Sequence, residues 1–484
     1  MKVPTRDRGD RYPPGSDSDG ARLLTGWGRT APSGALVVAP RGVDAGQECV
    51  AAVVRAQASA RSEGRDRGML ARGLGRAYGD AAQVSGGAAV DMTALAGLGA
   101  VDPETRTVTA EAGVSLDRLL RYILPRGFFV PVTPGTRFVT AGGALASDVH
   151  GKNHHVDGSF SNHVAAFDLI TGSGELRRVR RDDADSDGED ARVFAATAGG
   201  MGLTGIITRL TMTMLPVETS VMRVDTERTR DLDDCMDRMA DRDDAYRYSV
   251  AWVDCLARGA SMGRAVLTRG DHASLQELAP RARREPLRLP SGPRVAVPSF
   301  LPGGLLRPLT VRAFNEAWFR RAPLRRTSLE SIPAFFYPLD GIRGWNRLYG
   351  PRGLVQYQFV VPLGAEETLR AIVRRISSSG CPSFLAVLKR FGPGNGYPLS
   401  FPDSGWTLAV DIPAALDGLG ALLDGLDELV AAARGRVYLA KDGRLRPDLV
   451  RAMYPRLDEW RRVRDMLDPL GVFVSDLGRR LGLV

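Results

Sequence analysis

The sequence predicts a protein of mixed helices and strands with more than one domain, and three observations support this. The chain has 484 residues, enough for two or three domains and a large core. Short strand and helix patterns alternate up to about residue 214. From about residue 215 the strand patterns are longer and more widely spaced, with helical stretches between them.

The N-terminal half opens with a polar segment, residues 1–20, that we expect to be disordered. The patterns that follow predict strands over 35–38, 88–91 and 107–112, a helix over 47–59, and strand-rich stretches over 164–180 and 203–214. Ser115 is a suitable N-cap for a further helix over 116–124, which Pro125 and Gly127 would end.

The C-terminal half has longer elements. We expect strands over 246–252, 264–268, 356–361, 383–388 and 407–412, and helices over 365–377 and 416–433. A Pro/Gly-rich apolar stretch over 286–310 predicts a mobile apolar loop that reaches to about residue 345. Residues 436–484 return to short elements, and 437–440 are typical of a buried strand leading to Lys441.

Composition narrows the class of protein. Hydrophobic content of 44% and charged content of 25% are ordinary for a globular protein. The net charge of +9 reflects either an arginine-rich background or an anionic partner. We expect no nucleic-acid partner, because no binding motif is present. The basic run 177–181 adjoins an acidic one, which predicts a solvated, self-neutralising loop. The four cysteines are scattered, so a reducing, cytoplasmic location is the default. No leader or membrane-spanning stretch is visible.

Histidine is concentrated in one place. Four of the five histidines, His150, His154, His155 and His163, lie within 14 residues, beside Lys152 and flexible glycines. Imidazole exchanges protons near neutral pH, which indicates a polar ligand or a reacting group nearby. No carboxylate accompanies His154 and His155 at ligand spacing, so we expect no metal.

Three glycine-rich segments indicate close contact with a ligand. Residues 200–205 match the pattern G-x-G-x-x-G, but they follow a helical stretch and enter a strand, the reverse of a dinucleotide-binding turn. The loop 72–80 is weak evidence by itself and is equally typical of a surface turn. A stiff turn at 131–136 and small residues at 140–146 would let backbone N–H groups approach something flat or anionic.

The order of these segments along the chain resembles the vanillyl-alcohol oxidase/p-cresol methylhydroxylase flavoprotein family. The resemblance implies an α+β, two-domain flavoprotein that binds FAD. A split FAD-binding domain of two α+β subdomains would occupy 21–214 and return at 436–484. A substrate domain built on a large antiparallel sheet would occupy 215–435.

Within that family, six segments resemble the members that oxidise the 2′-hydroxyl of decaprenylphosphoryl-β-D-ribose: residues 24–32, 72–80, 148–155, 356–360, 440–442 and 453–456. The resemblance covers about residues 20–484. It implies FAD-dependent oxidation of this or a close polyprenyl-phosphoribose to the 2′-ketone, the first half of an epimerisation to the arabinose donor for cell-wall arabinan. Two alternatives stay open: an oxidase of another sugar, alditol or activated pentose, and a non-catalytic protein that retains the fold.

The resemblance also assigns the cofactor site. It implies a pyrophosphate loop at Gly75, Arg76, Ala77, Tyr78 and Gly79, and a remaining FAD groove lined by Thr136, Thr140, Gly143, Ser147, Asn153, His154, Ile206 and Tyr438. Family members that tether FAD through this loop use a histidine, and this chain has Tyr78 there. We therefore expect FAD to be held without a covalent bond.

For the reaction, the resemblance implies catalytic roles for Lys441, His150 and Tyr78. It implies a substrate site of Lys152, Trp252, Gln356, Gln358, Lys389, Thr407, Ala409 and Lys441. Loss of the hydroxyl proton requires a group that takes it or stabilises the alkoxide, and a lysine with a lowered pKa can do either. Lys441 is the first choice for this role. Lys389 is assigned either to the substrate phosphate or to a solvated strand end, and Trp252 either to a sugar platform or to the core.

Two positions depart from the family pattern. Thr407 replaces an Asn of the substrate strand, which leaves the exact sugar or lipid open. Ala409 replaces the Cys that covalent benzothiazinone inhibitors trap, so we expect no trapping. The expected partners are a polyprenyl-phosphate sugar, an NAD(P)H-dependent reductase, and quinone or oxygen as electron acceptor. The location is expected to be cytoplasmic, with peripheral contact to the inner face of the plasma membrane.

Overall fold

The computed structural model describes residues 20–40, 46–64, 67–181, 188–290, 295–298 and 306–484. The tail expected to be disordered therefore lies outside the described residues except for Gly20, and so do the acidic residues 182–187 and parts of the predicted apolar loop. No helix in the described ranges combines the length and the apolar character needed to cross a bilayer.

Two sheets are formed by the first 213 residues. The first has the order β1-β2-β4-β3, with strands β1 (Ala21–Leu24), β2 (Ser33–Val38), β3 (Met69–Arg72) and β4 (Ala88–Asp91). The second has the order β5-β6-β10-β8-β9, with strands β5 (Leu98–Asp102), β6 (Thr107–Glu111), β8 (Val164–Ile170), β9 (Leu176–Arg180) and β10 (Ile206–Thr213). A short pair joins β7 (Phe128–Phe129) to β11 (Leu215–Pro216).

The third sheet is large and antiparallel and has the order β16-β12-β14-β13-β19-β20-β18-β21. Its strands are β12 (Val221–Thr229), β13 (Tyr248–Val253), β14 (Ala265–His272), β16 (Arg325–Ser331), β18 (Leu354–Pro362), β19 (Ala386–Phe391), β20 (Gly405–Pro413) and β21 (Arg436–Val437). A small parallel pair, β15 (Val295–Ala296) and β17 (Ile342–Arg343), lies outside it.

The helices pack around these sheets. They are α1 (Gln47–Ser62), α2 (Leu116–Ile123), α3 (Ala141–Ala146), α4 (His154–Asp157), α5 (Glu189–Thr197), α6 (Leu232–Arg242), α7 (Pro308–Arg321), α8 (Ile332–Phe336), α9 (Glu366–Ser379), α10 (Leu419–Ala432), α11 (Pro447–Met453), α12 (Leu457–Leu467) and α13 (Asp476–Arg480). The Ser115 side chain caps α2 by accepting from Arg118 N, as its sequence predicts.

The C-terminal segment returns to the N-terminal half. Met69 N in β3 donates to Val472 O, and Val474 N donates to Met69 O, so the last turns of the chain pair with the edge of the first sheet. Arg480 of α13 donates to both Asp80 and Asp442. Those contacts hold the glycine-rich loop next to the segment that contains Lys441.

Three predictions about local structure are wrong. Residues 286–345 are not a loop throughout, because α7, β16 and α8 lie between 308 and 336. The basic run 177–181 lies mostly in β9, where Arg177 pairs with Glu189 and Asp190. Residues 437–440 are buried, but only Val437 belongs to a strand, and the chain then turns back on itself through the bond from Lys441 N to Tyr438 O. A short apolar run shows that a segment is buried, but it does not show whether that segment is a strand.

A candidate flavin and substrate cavity

A cavity of about 820 Å³ lies between the loops of the first two sheets and one face of the large sheet. The loops that line it come from residues 73–82, 133–152 and 201–207. Opposite them, the large sheet and the turn after β21 contribute Trp252, Gln356, Gln358, Lys389 and Lys441. The cavity therefore joins parts of the chain that are up to several hundred residues apart.

The glycine-rich loop after β3 is held on both sides by backbone hydrogen bonds. Trp27 N donates to Ala77 O at 2.8 Å and Gly28 N donates to Tyr78 O at 3.0 Å. On the other side Tyr78 N donates to Ala440 O at 3.0 Å. These contacts leave no room for a side chain at Gly79, where a Cβ would lie 1.9 Å from the carbonyl oxygen of Asp442. Glycine is required at position 79 because the backbone of the loop contacts the backbone at Asp442.

A second wall is formed by small residues around α3. Thr140 caps this helix by accepting from Gly143 N at 3.3 Å, and Thr140, Gly142, Gly143, Ala146 and Ser147 line the cavity. Gly135 and Gly202 also line it, and a Cβ at either position would meet no atom within 4 Å. The wall is thus made largely of backbone and small side chains, which leaves space for a flat, extended group.

These walls fit FAD. The cradle of glycines and small residues offers close backbone approach, and the Arg76 guanidinium lies in the same wall, 3.9 Å from the centre of the Trp27 ring. A positive charge beside a glycine-rich backbone suits a pyrophosphate. In addition, the buried Nδ1 of His150 has no hydrogen-bond partner in the described structure, although His150 lines the cavity. A buried polar atom of this kind is suited to a bound group that completes its hydrogen bonding.

Lys441 lies over the ring of Tyr78, with Nζ 4.1 Å from the ring centre. The turn from Tyr438 to Asp442 positions it, since both Lys441 N and Asp442 N donate to Tyr438 O. Burial lowers the pKa of Lys441, nearby Lys389 lowers it further, and Asp411 opposes both effects. Burial also raises the pKa of Tyr78 well above its usual value, so the phenol stays protonated.

Gln358 of the large sheet holds His150 in position through a hydrogen bond. The Gln358 Nε2 group donates to His150 Nε2 at 2.9 Å and to Thr407 Oγ1 at 3.2 Å. Burial lowers the pKa of His150 well below its usual value, and the positive charges of Lys389, His154 and Lys441 add to this effect. His150 is therefore neutral, and because its Nε2 accepts from Gln358, its proton is on Nδ1.

Lys152 and Lys389 are two further cations in the wall. Burial lowers the pKa of Lys152 to about 7, with a further lowering by Lys389, and burial lowers the pKa of Lys389 to about 8. Lys152 Nζ donates to the carbonyl oxygen of Phe335 and lies 4.2 Å from the centre of that ring. Three amines in one apolar space repel one another, and an anionic ligand would relieve this repulsion.

Most of the predicted site residues line the cavity. They are Gly75, Arg76, Ala77, Tyr78, Thr136, Thr140, Gly143, Ser147, His150, Lys152, Trp252, Gln356, Gln358, Lys389, Ala409, Tyr438 and Lys441. Tyr438 is fixed there by donating from its hydroxyl to Ser147 O at 2.8 Å. Trp252 lines the cavity, as a sugar platform would, and its Nε1 donates to Phe384 O, as in a core residue. It therefore has features of both predicted roles.

Five predicted residues do not line it. Gly79 lies behind the loop against Asp442, and Ile206 is replaced in the lining by its neighbours Gly205 and Ile207. Asn153 is buried and donates to Pro131 O and to Asp157, which holds the loop together. His154 packs on Phe391 with ring centres 4.5 Å apart. Thr407 lies behind Gln358, so it orients that amide and does not form the cavity surface.

Asp411 is a residue of the site that sequence reasoning missed. It is fully buried in β20, accepts a hydrogen bond from Gln356 Nε2, and has its Oδ2 unpaired among the described residues. Burial raises its pKa, and the hydrogen bond from Gln356 and the charge of Lys441 oppose this. The signal was present in the sequence: an aspartate stands between Val410 and Ile412 in an otherwise apolar strand.

A second missed signal is the scarcity of lysine. The chain has four lysines in total, Lys2, Lys152, Lys389 and Lys441, among 65 basic residues. Three of the four line the cavity. Arginine supplies most of the positive charge of the chain and keeps its charge when buried, whereas a buried lysine can lose its charge. The choice of lysine at these positions therefore indicates a need for an amine of lowered pKa.

Comparison with known proteins agrees with this geometry. Residues 35–180 match the FAD binding domain family, and residues 419–481 match the D-arabinono-1,4-lactone oxidase family. The chain is 45% identical to the decaprenylphosphoryl-β-D-ribose oxidase of Mycolicibacterium smegmatis over 464 residues, 96% of this chain and 98% of the relative. It is 25% identical to the L-gulono-1,4-lactone dehydrogenase of Mycobacterium tuberculosis over 442 residues, 90% of this chain and 94% of the relative.

Proposed function

The chain belongs to the decaprenylphosphoryl-β-D-ribose oxidase family of FAD-dependent oxidoreductases, and on this basis we propose that it oxidises the 2′-hydroxyl of decaprenylphosphoryl-β-D-ribose, or of a close polyprenyl-phosphoribose, to the 2′-ketone. The observation that carries the proposal is the placement of Lys441. Its amine lies over Tyr78 of the glycine-rich loop and in the same cavity as His150 and Gln358. That is where a reacting hydroxyl would need a base.

FAD, when bound, would supply the two-electron acceptor for the hydride, a proton with its electron pair, that leaves the substrate carbon. Residues of the glycine-rich loop and the wall around α3 would hold it: Gly75, Arg76, Ala77, Thr140, Gly143 and Ser147. Tyr78 would lie between the cofactor loop and Lys441, because its backbone belongs to the loop and its ring contacts the Lys441 amine. Its high pKa keeps the ring neutral, so it adds no negative charge beside the amine.

The hydroxyl proton goes to Lys441 in this proposal. A lysine with a lowered pKa is partly neutral near neutral pH and can accept a proton as the carbon–oxygen double bond forms. Neutral His150 keeps a proton on Nδ1 and would donate it as a hydrogen bond to a substrate oxygen. Gln358 orients His150, and Thr407 in turn orients Gln358.

We propose that Lys389 recognises the substrate phosphate. It lies on β19 directly opposite Thr407 of β20, and β20 separates it from Gln358 on β18. With a pKa of about 8 it is mostly protonated at neutral pH and is attracted to a phosphodiester. Lys152, with a pKa of about 7, adds a partial positive charge to the same cavity.

The partners belong to the same proposal. A separate NAD(P)H-dependent reductase would complete the epimerisation, and quinone or oxygen would be the final electron acceptor. We propose peripheral contact with the inner face of the plasma membrane, because the substrate is a lipid and apolar side chains are exposed around α7: Leu309, Phe314, Trp318 and Leu324.

The test is anaerobic reduction of the purified, FAD-loaded protein. Prenyl-phosphoribose should bleach the flavin absorbance, and prenyl-phosphoarabinose, free ribose and alditols should not. Bleaching by a free sugar or an alditol, without a response to prenyl-phosphoribose, would replace the proposed function by that of a different sugar oxidase. A protein that takes up FAD and responds to no alcohol would be a non-catalytic member of the family.

A further inference from the structure

One face of the large sheet forms a continuous floor to the cavity. Seven of the eight strands contribute side chains to it. The contributing side chains are cross-strand neighbours: Arg326 pairs with Thr226, Thr226 with Thr268, Thr268 with Val250, Trp252 with Val266 and Val387, Val387 with Ala409, and Ala409 with Gln358. Directly paired residues share a face of a sheet, so these side chains form one row from β18 to β16.

The chemistry of the row changes along its length. At the β18 end it begins at Gln358, beside Gln356 and close to His150, and Lys389 lies two strands further along, on β19. The middle of the row has no charged side chain and consists of alanine, valine, tryptophan and threonine. Its β16 end is Arg326, which is exposed. The polar groups needed for a sugar phosphate are thus all at one end.

The walls beside the middle of the row are also apolar. Trp318, Pro323, Phe335 and Phe336 line the same cavity. Two charged groups, Lys152 and Glu330, are part of the same wall, and Lys152 is engaged by the carbonyl oxygen of Phe335. The remaining surface is suited to hydrocarbon.

The length of the row decides what it can bind. Neighbouring strands in a sheet are about 4.8 Å apart, so the six steps from β18 to β16 span roughly 29 Å. In a phosphoribose the phosphate is joined to the carbon next to the reacting one. Arg326 is therefore much too far from the reacting carbon to bind that phosphate. Whatever lies on the middle of the row must be the part of the substrate beyond the phosphate.

We propose that this row is a binding track for the first isoprene units of the lipid, which run across the sheet from Lys389 to an exit between Arg326 and the end of α7. This inference rests on the proposed function and specifies where the substrate's hydrocarbon chain lies. The exit is flanked by Trp318 and Arg321, which line the cavity and are exposed. The rest of a long prenyl chain leaves the protein at that point.

The first experiment compares substrates that share the head group and differ in chain length. With geranyl-, farnesyl-, geranylgeranyl- and decaprenyl-phosphoribose, KM should fall by about tenfold or more from geranyl to geranylgeranyl, because each added unit buries more apolar surface. It should then change little up to decaprenyl, because the later units lie outside. A KM that is independent of chain length would overturn the track.

The second experiment blocks the track far from the reacting centre. Thr226→Trp and Thr268→Trp each place a large ring in the row. Turnover of geranyl-phosphoribose should stay within about twofold of wild type, and KM for geranylgeranyl-phosphoribose should rise by about tenfold. Leu329→Trp is the matched control, since Leu329 is exposed on the opposite face of β16 and should change neither value. Unchanged chain-length preference in both blocked variants would contradict the proposal.

A binding measurement separates this inference from the proposed function. Geranylgeranyl monophosphate has the chain and the phosphate but no sugar to oxidise. Calorimetry should show that it binds the FAD-loaded wild type and binds Thr226→Trp about tenfold more weakly. Binding with this pattern, but no oxidation of any prenyl-phosphoribose, would keep the track and refute the proposed function. Oxidation that is insensitive to chain length would do the reverse.

Discussion

At the scale of single residues, we expect substitution of Lys441 to impair the reaction most. Lys441→Ala should lower the rate of anaerobic flavin reduction by about 100-fold or more, the usual contribution of a general base. Lys441→Arg should not restore the rate, because a guanidinium cannot become neutral. Stopped-flow absorbance measures both, and retained FAD absorbance shows that each variant is folded.

The pH dependence of the wild type follows from the same residue. Burial lowers the pKa of Lys441, so its neutral form is present above that lowered pKa and is lost as the pH falls through it. The rate of flavin reduction should therefore decrease towards acid pH in the wild type. The acid limb should be absent from the residual rate of Lys441→Ala. An identical acid limb in both proteins would assign it to another group.

A second prediction at this scale concerns Ala409. It lines the cavity opposite Gln358 and has no thiol, so benzothiazinone inhibitors should leave the intact mass of the wild type unchanged. Ala409→Cys should gain the mass of one inhibitor molecule after incubation under turnover. The other cysteines serve as an internal control, since they are present in both proteins. An adduct on the wild type would contradict the prediction.

The tyrosine at position 78 leads us to predict that FAD is bound without a covalent bond. A tyrosine at this loop position cannot form the histidyl link used by tethered members of the family. Denaturation should therefore release all of the flavin, leaving a colourless protein band on a denaturing gel and FAD in the supernatant. Flavin fluorescence that stays with the band would show a covalent bond.

At the scale of elements, the glycine-rich loop depends on its contact with the segment after β21. Gly79→Ala should lower the free energy of unfolding by about 1–3 kcal/mol and weaken FAD binding, because its Cβ would overlap the Asp442 carbonyl and force one backbone to move. Gly34→Ala is the matched control, since a Cβ there meets no atom within 4 Å. Thermal unfolding and FAD titration measure the two effects, and equal behaviour of both variants would contradict this role of the contact.

At the scale of the whole molecule, charge and exposed apolar side chains predict membrane association. The net charge is +9, and Leu309 at the start of α7 and Leu324 just after α7 are 77% and 76% exposed. The protein should sediment with vesicles that contain anionic lipid and be released by about 1 M salt, which shortens the Debye length to roughly 3 Å.

Three variants distinguish the contribution of the exposed apolar side chains to membrane binding from the contribution of the net charge. Leu309→Asp and Leu324→Asp should reduce sedimentation with vesicles without reducing turnover of geranyl-phosphoribose in solution. Leu23→Asp, at a 68% exposed residue of β1 in the other half of the chain, should have no effect. Equal loss in all three variants would show that charge alone determines binding.

Local elements were largely predictable because their signals are local. The helix expected at 365–377 is α9 (Glu366–Ser379), and the strand expected at 407–412 is β20 (Gly405–Pro413). In both segments, the spacing of apolar residues along the chain indicates directly whether the segment is a helix or a strand. α7 and β16 were not predicted, because the Pro/Gly-rich stretch before them suggested a loop and because β16 is an edge strand with many exposed polar residues.

The sequence by itself determined the helices and strands, the glycine-rich loop and, through the family resemblance, the cofactor and the type of reaction. Only the tertiary structure decided that Lys152, Lys389 and Lys441 share one cavity, that the buried Asp411 lies close to Lys441, and that Thr407 accepts a hydrogen bond from Gln358. The physical reason is distance along the chain. Secondary structure follows from neighbours within a few residues. The lowered pKa values require segments far apart in sequence to be buried together, and the row across the large sheet requires distant strands to pair.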